Sequence, residues 1–375
     1  MLEALKNKQS LTFHPAGIYT GSIVSPIAAN ISLATTVTTT RFNNQLNNIL
    51  NVLTAERRRI SEKVASELAN NPTYNGSRQD GIKLAWEYEK ADITMGGGGS
   101  GNFDASQCQE ILENGKLKNY EGHHINSVKQ TPEQQGNPDN VSMLEEHRDG
   151  NGPRIHYEKH GKNWQNQTTG EMLDRDGMLK ISNFKRVFKN ELTGLGFAVA
   201  IGVGVGFTLN FIVGLAQVGV SSENFEKVLL SSVGGTAETG LMSIVGYSIG
   251  RGTAYVFQSI GIDIASNLGK VLNIAAVGVL TIAVFSVYQL WKLRRSGMYL
   301  SEALSAVGKQ VAFSLSILTV SIIAQGVWGG VAGIIVSTSV GLLFLTYSVV
   351  VSSHQRKVGN RLREYTIEQY KPILI

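Results

Sequence analysis

The chain has 375 residues, enough for two or three domains, and its 34 basic against 29 acidic residues give a net charge of +5. The single cysteine, Cys108, excludes an intrachain disulfide framework and a cysteine-built zinc knuckle. Mean hydropathy is near zero only because a polar first half is averaged with a second half of long uncharged runs, so the basic excess reports membrane topology as readily as nucleic-acid binding.

Residues 1–10 are of mixed charge and the apolar stretch at 18–33 carries Pro26, so no secretory signal is expected. From Phe42 to Asn70 apolar residues recur at three and four (Leu46, Ile49, Leu53, Ile60, Val64, Leu68), with Arg57, Arg58 and Arg59 on the polar side. This spacing predicts an amphipathic helix packing within its own domain or on a second copy. Residues 1–95 therefore read as a mainly helical N-terminal domain. The run Gly-Gly-Gly-Gly-Ser-Gly at 96–101 lacks the Lys-Ser/Thr ending of a phosphate-binding loop, and 96–103 reads as a flexible linker. Asp104 then reads as the N-cap of a short helix over 105–112, which carries Cys108 with no histidine nearby in sequence and gives the thiol no reactive role.

The informative block runs from Tyr120 to Asp174 and holds five of the seven histidines between His123 and His160. It opens Glu121-Gly-His123-His124-Ile-Asn126, turns at Gly136-Asn-Pro-Asp139, reaches Asn140-Val-Ser-Met-Leu144 and closes His156-Tyr-Glu-Lys-His160-Gly-Lys-Asn163-Trp164-Gln-Asn166. Two histidines four apart share one helix face and can bind one ion together. The third ligand comes from elsewhere. Of the adjacent pair His123 and His124 only one points at that ion if the backbone is extended, which frees the other to act as a base. A site that only staples a small domain would not need that second histidine, and four protein ligands would leave no room for water.

These three segments together resemble the GHH group of HNH nucleases, the ββα-metal domains found in bacterial toxins and nuclease colicins. The resemblance covers about sixty residues. It implies an α+β nuclease domain at 104–180 that hydrolyses phosphodiester bonds with a divalent metal. It implies His123 as a metal ligand, His124 as the general base, Asn140 as the residue orienting His124 through its amide, and His156 and His160 as the remaining ligands. The insertion around Glu145, Glu146, His147 and Asp149 makes His147 an alternative to His156, although loop carboxylates are ordinarily solvated. Asn163, Trp164 and Asn166 either contact a phosphate backbone or close the fold. Three imidazoles favour a transition metal such as zinc, nickel or manganese over magnesium.

Beyond Asp174 the chain becomes apolar, and about twenty such residues span a bilayer as a helix. Residues 181–355 read as an all-α transmembrane domain with strong spans near 194–216, 271–291, 309–328 and 331–352, followed by a tail at 356–375. Lys180, Lys185, Arg186 and Lys189 precede the first span, Lys292, Arg294 and Arg295 follow the second, and Arg356, Lys357, Arg361 and Arg363 follow the last. With an even number of crossings over 223–270, where Glu238 and Asp263 weaken the signal, all three clusters share one side. The expected location is thus a bacterial inner membrane, with the nuclease and the tail cytoplasmic. Gly202 and Gly206, and Gly326 and Gly330, carry the small-residue spacing of close helix contact; Phe207 in the third motif position excludes a dinucleotide loop at 202–206.

The leading expectation is a membrane-anchored, metal-dependent endonuclease of DNA, with RNA also open, acting in defence against phage or other foreign DNA. Its partners would be DNA, the lipid bilayer and a second copy of the chain. An alternative is a toxin delivered to rival bacteria and countered by an immunity protein. A third, of another class, is a channel or pore with a metal-binding regulatory domain.

Overall fold

The computed structural model describes residues 15–147, 154–218 and 222–328 and, beyond these, isolated positions between 332 and 366. The chain divides into two compact units, one of Thr39–Asn190 and one of Met1–Thr38 with Glu191–Ile375.

In the unit Thr39–Asn190, the long helix α1 (Pro15–Asn70) presents Leu53, Ile60 and Val64 from one face. They pack on Leu84, Tyr88 and Ala91 of α2 (Arg78–Thr94), with Met95 and Leu179 closing the cluster. The amphipathic stretch therefore packs on its own domain. The other side of α2 supplies Ala85, Trp86 and Ile93 to a second cluster with Phe103, Ile111, Leu117, Val141 and Met143. Helix α3 (Ala105–Asn114) starts where Asp104 accepts from the Gln107 amide at 2.8 Å while the Asp104 amide donates to Gln107 Oε1 at 3.0 Å. This reciprocal cap satisfies two donors that the first helical turn leaves over.

Strands β1 (Tyr120–His124) and β2 (Val141–Glu145) pair antiparallel, with His123 opposite Ser142 and His124 opposite Val141. The short helix α4 (Ile155–Lys159) follows and packs on β2. The order strand, strand, helix is the one expected.

The glycine run is not a linker. Gly96 and Gly99 take φ of +87° and +69°, a region glycine reaches without strain, and the turn folds back on α2. The Gly99 amide donates to Asp92 Oδ2 at 3.0 Å and the Ser100 amide to Glu89 Oε2 at 2.7 Å. Phe103 is buried and its ring stacks with Trp86 at 6.3 Å. The expected boundary at 96–103 thus falls inside a compact unit, because the glycines supply turn geometry rather than slack.

Arg175, the first residue of α5 (Arg175–Val218), is buried and ties this unit together. Its guanidinium meets Glu89 at 2.6 Å and donates to the carbonyls of Pro138 at 2.9 Å and Val141 at 2.8 Å. A buried ion pair withstands desolvation only when its remaining polar groups are also bonded, and here both partners are.

In the other unit, α5 continues and is joined by α6 (Ser222–Ser259), α7 (Asn267–Arg295) and α8 (Leu300–Val327). Among the described residues, three helical stretches are long and apolar enough to cross a membrane, Arg175–Thr208, Asn267–Arg295 and Leu300–Ala324. They overlap the first three expected spans, 194–216, 271–291 and 309–328. The fourth, at 331–352, and the tail lie among residues of which only isolated positions are described. Over 223–270 there is one continuous helix to Ser259 where two weak spans or none were expected, and it ends at Gly261 with φ of +83°. The chain has no proline there to break the helix, and its glycines are tolerated where neighbouring helices pack closely. Gly202 and Gly206 show that packing: a Cβ on either would collide with Ser243 or Thr239 of α6. Gly278 of α7 likewise admits Leu318 of α8.

Replacing Arg175 by Met is expected to destabilise the Thr39–Asn190 unit by about 3–5 kcal/mol, the cost of leaving one partner of a buried pair uncompensated. Thermal unfolding of the detergent-solubilised chain, followed by tryptophan fluorescence, reads the loss; Glu89→Gln in the same chain should restore part of it.

Candidate metal centre and catalytic cleft

An extended strand sends successive side chains to opposite faces, and β1 uses this twice. Glu121 and His123 share one face, and His124 takes the other. Helix α4 carries His156, and His160 sits at its C-terminal end, one turn on. Gly161 and Lys162 then adopt φ of +59° and +60° and reverse the chain.

His123, His156 and His160 converge. Their ring centroids are 4.8, 5.4 and 5.3 Å apart, and one ligand nitrogen from each lies within 4.8 Å of the others. An ion with metal–nitrogen bonds of about 2.0–2.1 Å in tetrahedral geometry brings its ligands to about 3.4 Å of one another, so a small closure of the side chains completes the site.

The hydrogen bonds around the triad fit a cation. His160 Nδ1 donates to the Asn166 carbonyl at 2.7 Å, which leaves Nε2 with its lone pair. His156 Nδ1 faces Glu121 Oε2 at 3.4 Å. His123 Nδ1 and Glu121 Oε1 are buried with no hydrogen-bond partner, an arrangement that costs free energy unless a cation compensates it. Burial, reinforced by the neighbouring His156 and His160, pushes the His123 pKa down to about 3, and burial lowers that of His156 as well. Both imidazoles are therefore neutral near pH 7, the form that ligates metal. Among the described residues no fourth protein ligand joins them, and an open position is what distinguishes catalytic from structural sites.

His124 stands beside the triad and outside it. Its Nε2 donates to the Gln135 carbonyl at 3.0 Å, so the neutral ring keeps Nδ1 as its acceptor. Burial lowers its pKa, the Gln135 carbonyl opposes that shift, and the positive charge of Arg78 adds to it. A cleft of about 160 Å³ brings His124, the three triad histidines, Arg78, Lys129 and Trp164 onto one surface.

One expectation is corrected by this geometry and two open alternatives are narrowed. The Asn140 amide is spent on Asn126 rather than on His124: its Oδ1 accepts from the Asn126 amide at 2.8 Å and its Nδ2 donates to the Asn126 carbonyl at 3.0 Å. It braces the turn that follows β1, and the ring is oriented by Gln135 instead. His147 bridges Arg154 on the edge of the hairpin while His156 takes the place in the triad. Asn166 is engaged with His160, its Nδ2 donating to the His160 carbonyl at 2.9 Å, and Asn163 caps its own turn by accepting from the Gln165 amide at 3.0 Å. Trp164 remains 52 % exposed, packed edge-on to His156 at 5.3 Å. Asp149 lies outside the described residues. Cys108 is half-buried, and burial raises its pKa, consistent with an unreactive thiol.

Sequence reasoning did not single out Gln135, Glu121 or Arg78. Glu121 carried a signal, since it stands two residues from His123 and so on the same strand face. Gln135 is buried; it reaches the Tyr74 carbonyl at 2.9 Å and accepts from the Ser77 amide at 3.0 Å. No local pattern reveals a bond across some sixty positions of sequence.

A strand hairpin and a helix thus present three convergent imidazoles that could hold a metal ion, with a separate fourth histidine lining the same cleft. Residues 69–145 match the sequence model of a family described as a GHH signature containing HNH/Endo VII superfamily nuclease toxin. This segment of the chain is similar to that family, and the match includes His123, His124 and Asn140 but stops short of His156 and His160. No curated protein and no solved structure matches the chain.

Two outcomes are expected. A Cβ on Gly81 would approach the Gln135 carbonyl to 2.7 Å, so Gly81→Ala should displace the acceptor of His124 and slow the reaction while leaving metal affinity intact, as isothermal titration and a cleavage assay would separate. Acid should also destabilise the metal-free protein. The unfolded chain takes up the His123 proton near 6.5 and the folded chain only near 3, so stability is complete above pH 6.5 and declines as pH falls between those values. Thermal unfolding in chelator across that window tests it, and a flat profile contradicts it.

Proposed function

We propose that the chain is a membrane-anchored, metal-dependent endonuclease that hydrolyses phosphodiester bonds of DNA. The observation that carries this reading is the convergence of His123, His156 and His160 beside His124, within and just beyond a segment that matches a nuclease toxin family.

His123, His156 and His160 would hold a divalent cation, of transition type given three imidazoles; when bound, it offsets charge on the phosphate and on the departing oxygen. His124 accepts the proton at Nδ1 from the attacking water as the water oxygen bonds to phosphorus and the P–O bond opposite it breaks. The lowered pKa of His124 keeps the acceptor unprotonated near neutrality. Gln135 fixes the tautomer. Arg78 and Lys129 on the wall of the cleft supply positive charge where a phosphate backbone would lie, and the exposed Trp164 ring offers a face on which a base can stack. Lys180, Lys185, Arg186 and Lys189, immediately before the first apolar run, favour a cytoplasmic position for the nuclease.

The full chain in detergent, given manganese, nickel, zinc or magnesium, should cut plasmid DNA and stop when chelator is added. His124→Ala should slow cutting by roughly 10²–10⁴-fold, the usual contribution of a general base, and keep its metal. His160→Ala should lose both. Absence of cleavage of DNA and RNA by the folded, metal-loaded chain would sink the reading.

The family description favours a toxin role, with a dedicated immunity protein, over interception of incoming foreign DNA. Expression of the chain alone separates the two. A toxin kills its host unless His124 is replaced or the inhibitor is supplied; a defence nuclease leaves the host healthy and reduces phage infection.

A further inference from the structure

Between Lys180 and Leu192 the helix α5 is inside out. Its inward face is polar: Ser182 donates to Asp92 at 2.6 Å, Asn183 to Asn43 at 2.9 Å, and Arg186 to Gln45 and to the Phe42 carbonyl, both at 2.8 Å. Ser182 and Asn183 are only 7 % and 5 % exposed. The outward face is apolar. Ile181, Phe184, Phe188 and Leu192 are 56, 66, 52 and 54 % exposed, and the two phenylalanine rings stack on one another at 6.0 Å.

At 3.6 residues per turn these four side chains fall within an arc of about 80°. A helix that packs a water-soluble unit does the reverse, hiding its apolar stripe and showing its polar one. The face is therefore built to meet something less polar than water. Lys180 borders the arc on one side, and Lys185 and Lys189 border it on the other, all three exposed. An apolar stripe with aromatic rings, edged by lysines, is the pattern of a helix lying against the headgroup region of a bilayer. The stripe is also continuous with the uncharged run that begins at Leu192 in the same helix, a candidate membrane-crossing segment.

We propose that the outward face of residues 180–192 is a binding surface for anionic phospholipid, with the rings among the upper acyl chains and the lysines on the headgroups. This rests on the membrane-anchoring reading but not on the nuclease chemistry. A juxtamembrane lysine contributes about 1 kcal/mol toward an anionic surface, roughly fivefold in local lipid preference.

The full chain is tested in liposomes of phosphatidylcholine with or without phosphatidylglycerol. Cys108→Ser clears the background, and a fluorophore is attached at Phe184→Cys or, as the water-facing control, at Glu113→Cys. Spin-labelled lipids should quench the label at position 184 and not at 113, and spin-labelled phosphatidylglycerol should quench it at least about fivefold better than phosphatidylcholine, the preference one lysine supplies. Replacing Lys180, Lys185 and Lys189 by Gln should abolish that preference while quenching itself persists. A label at 184 as open to a water-soluble quencher as the one at 113 overturns the proposal. So does equal quenching by the two lipids, and so does energy transfer between copies without lipid quenching, which would mean that a second chain covers the face. Loss of the chain from liposomes on alkaline carbonate washing reports separately that the anchoring reading has failed.

Discussion

The site depends on the pleat of one short strand. Because extended backbone turns neighbouring side chains to opposite faces, His123 joins the histidine triad while His124, the next residue, stands outside it, so the two roles proposed for them follow from two consecutive residues. Helix α4 then needs only one turn to deliver two further imidazoles. Everything else near the cleft fixes ring orientation: the Asn166 carbonyl for His160, Glu121 for His156 and the Gln135 carbonyl for His124. Each of these contacts selects a tautomer, so the protonation pattern of the cleft is written in the backbone around it.

That backbone is held by groups far away in sequence. Gly136 packs against Ile60 with no room for a side chain, and Gly81 lies against the Gln135 carbonyl, so α1 and α2 together set where the acceptor of His124 lies. Arg175 performs the matching task for the start of β2. It binds the carbonyls on either side of Asn140, and its charge is balanced by Glu89 of α2. The short hairpin, which two strands alone would scarcely stabilise in water, is thereby clamped by α2 and by the first residue of α5.

What was legible in the sequence was what has a local period. The face of α1 could be read from spacing at three and four, the helix at Asp104 from its cap, the opposed pair His123 and His124 from the strand, and His156 with His160 from the helical turn. The apolar runs of α5, α7 and α8 were equally plain. What stayed hidden was the non-local. A glycine run reads as slack until Asp92 and Glu89 are seen to bond its amides. The amide of Asn140 is spent on Asn126, fourteen positions back, and the ring of His124 is served instead by a carbonyl, which every residue owns and no motif can mark. Composition also misjudged the stretch 223–259, because its scattered polar residues resemble interruptions while the backbone there runs on as one helix.

The tie between Glu89 and Arg175 spans 86 positions of sequence, and this bears on the order in which the chain is made. Synthesis from the N-terminus completes both strands and all four histidines of the cleft before it reaches Arg175. Until then Glu89 is a carboxylate facing an apolar interior with no counter-charge, and the carbonyls of Pro138 and Val141 lack their donor. The residue that clamps the second strand is thus also the one that opens a long helix apolar enough in composition to cross a membrane, and a nascent chain cut short before it lacks that clamp.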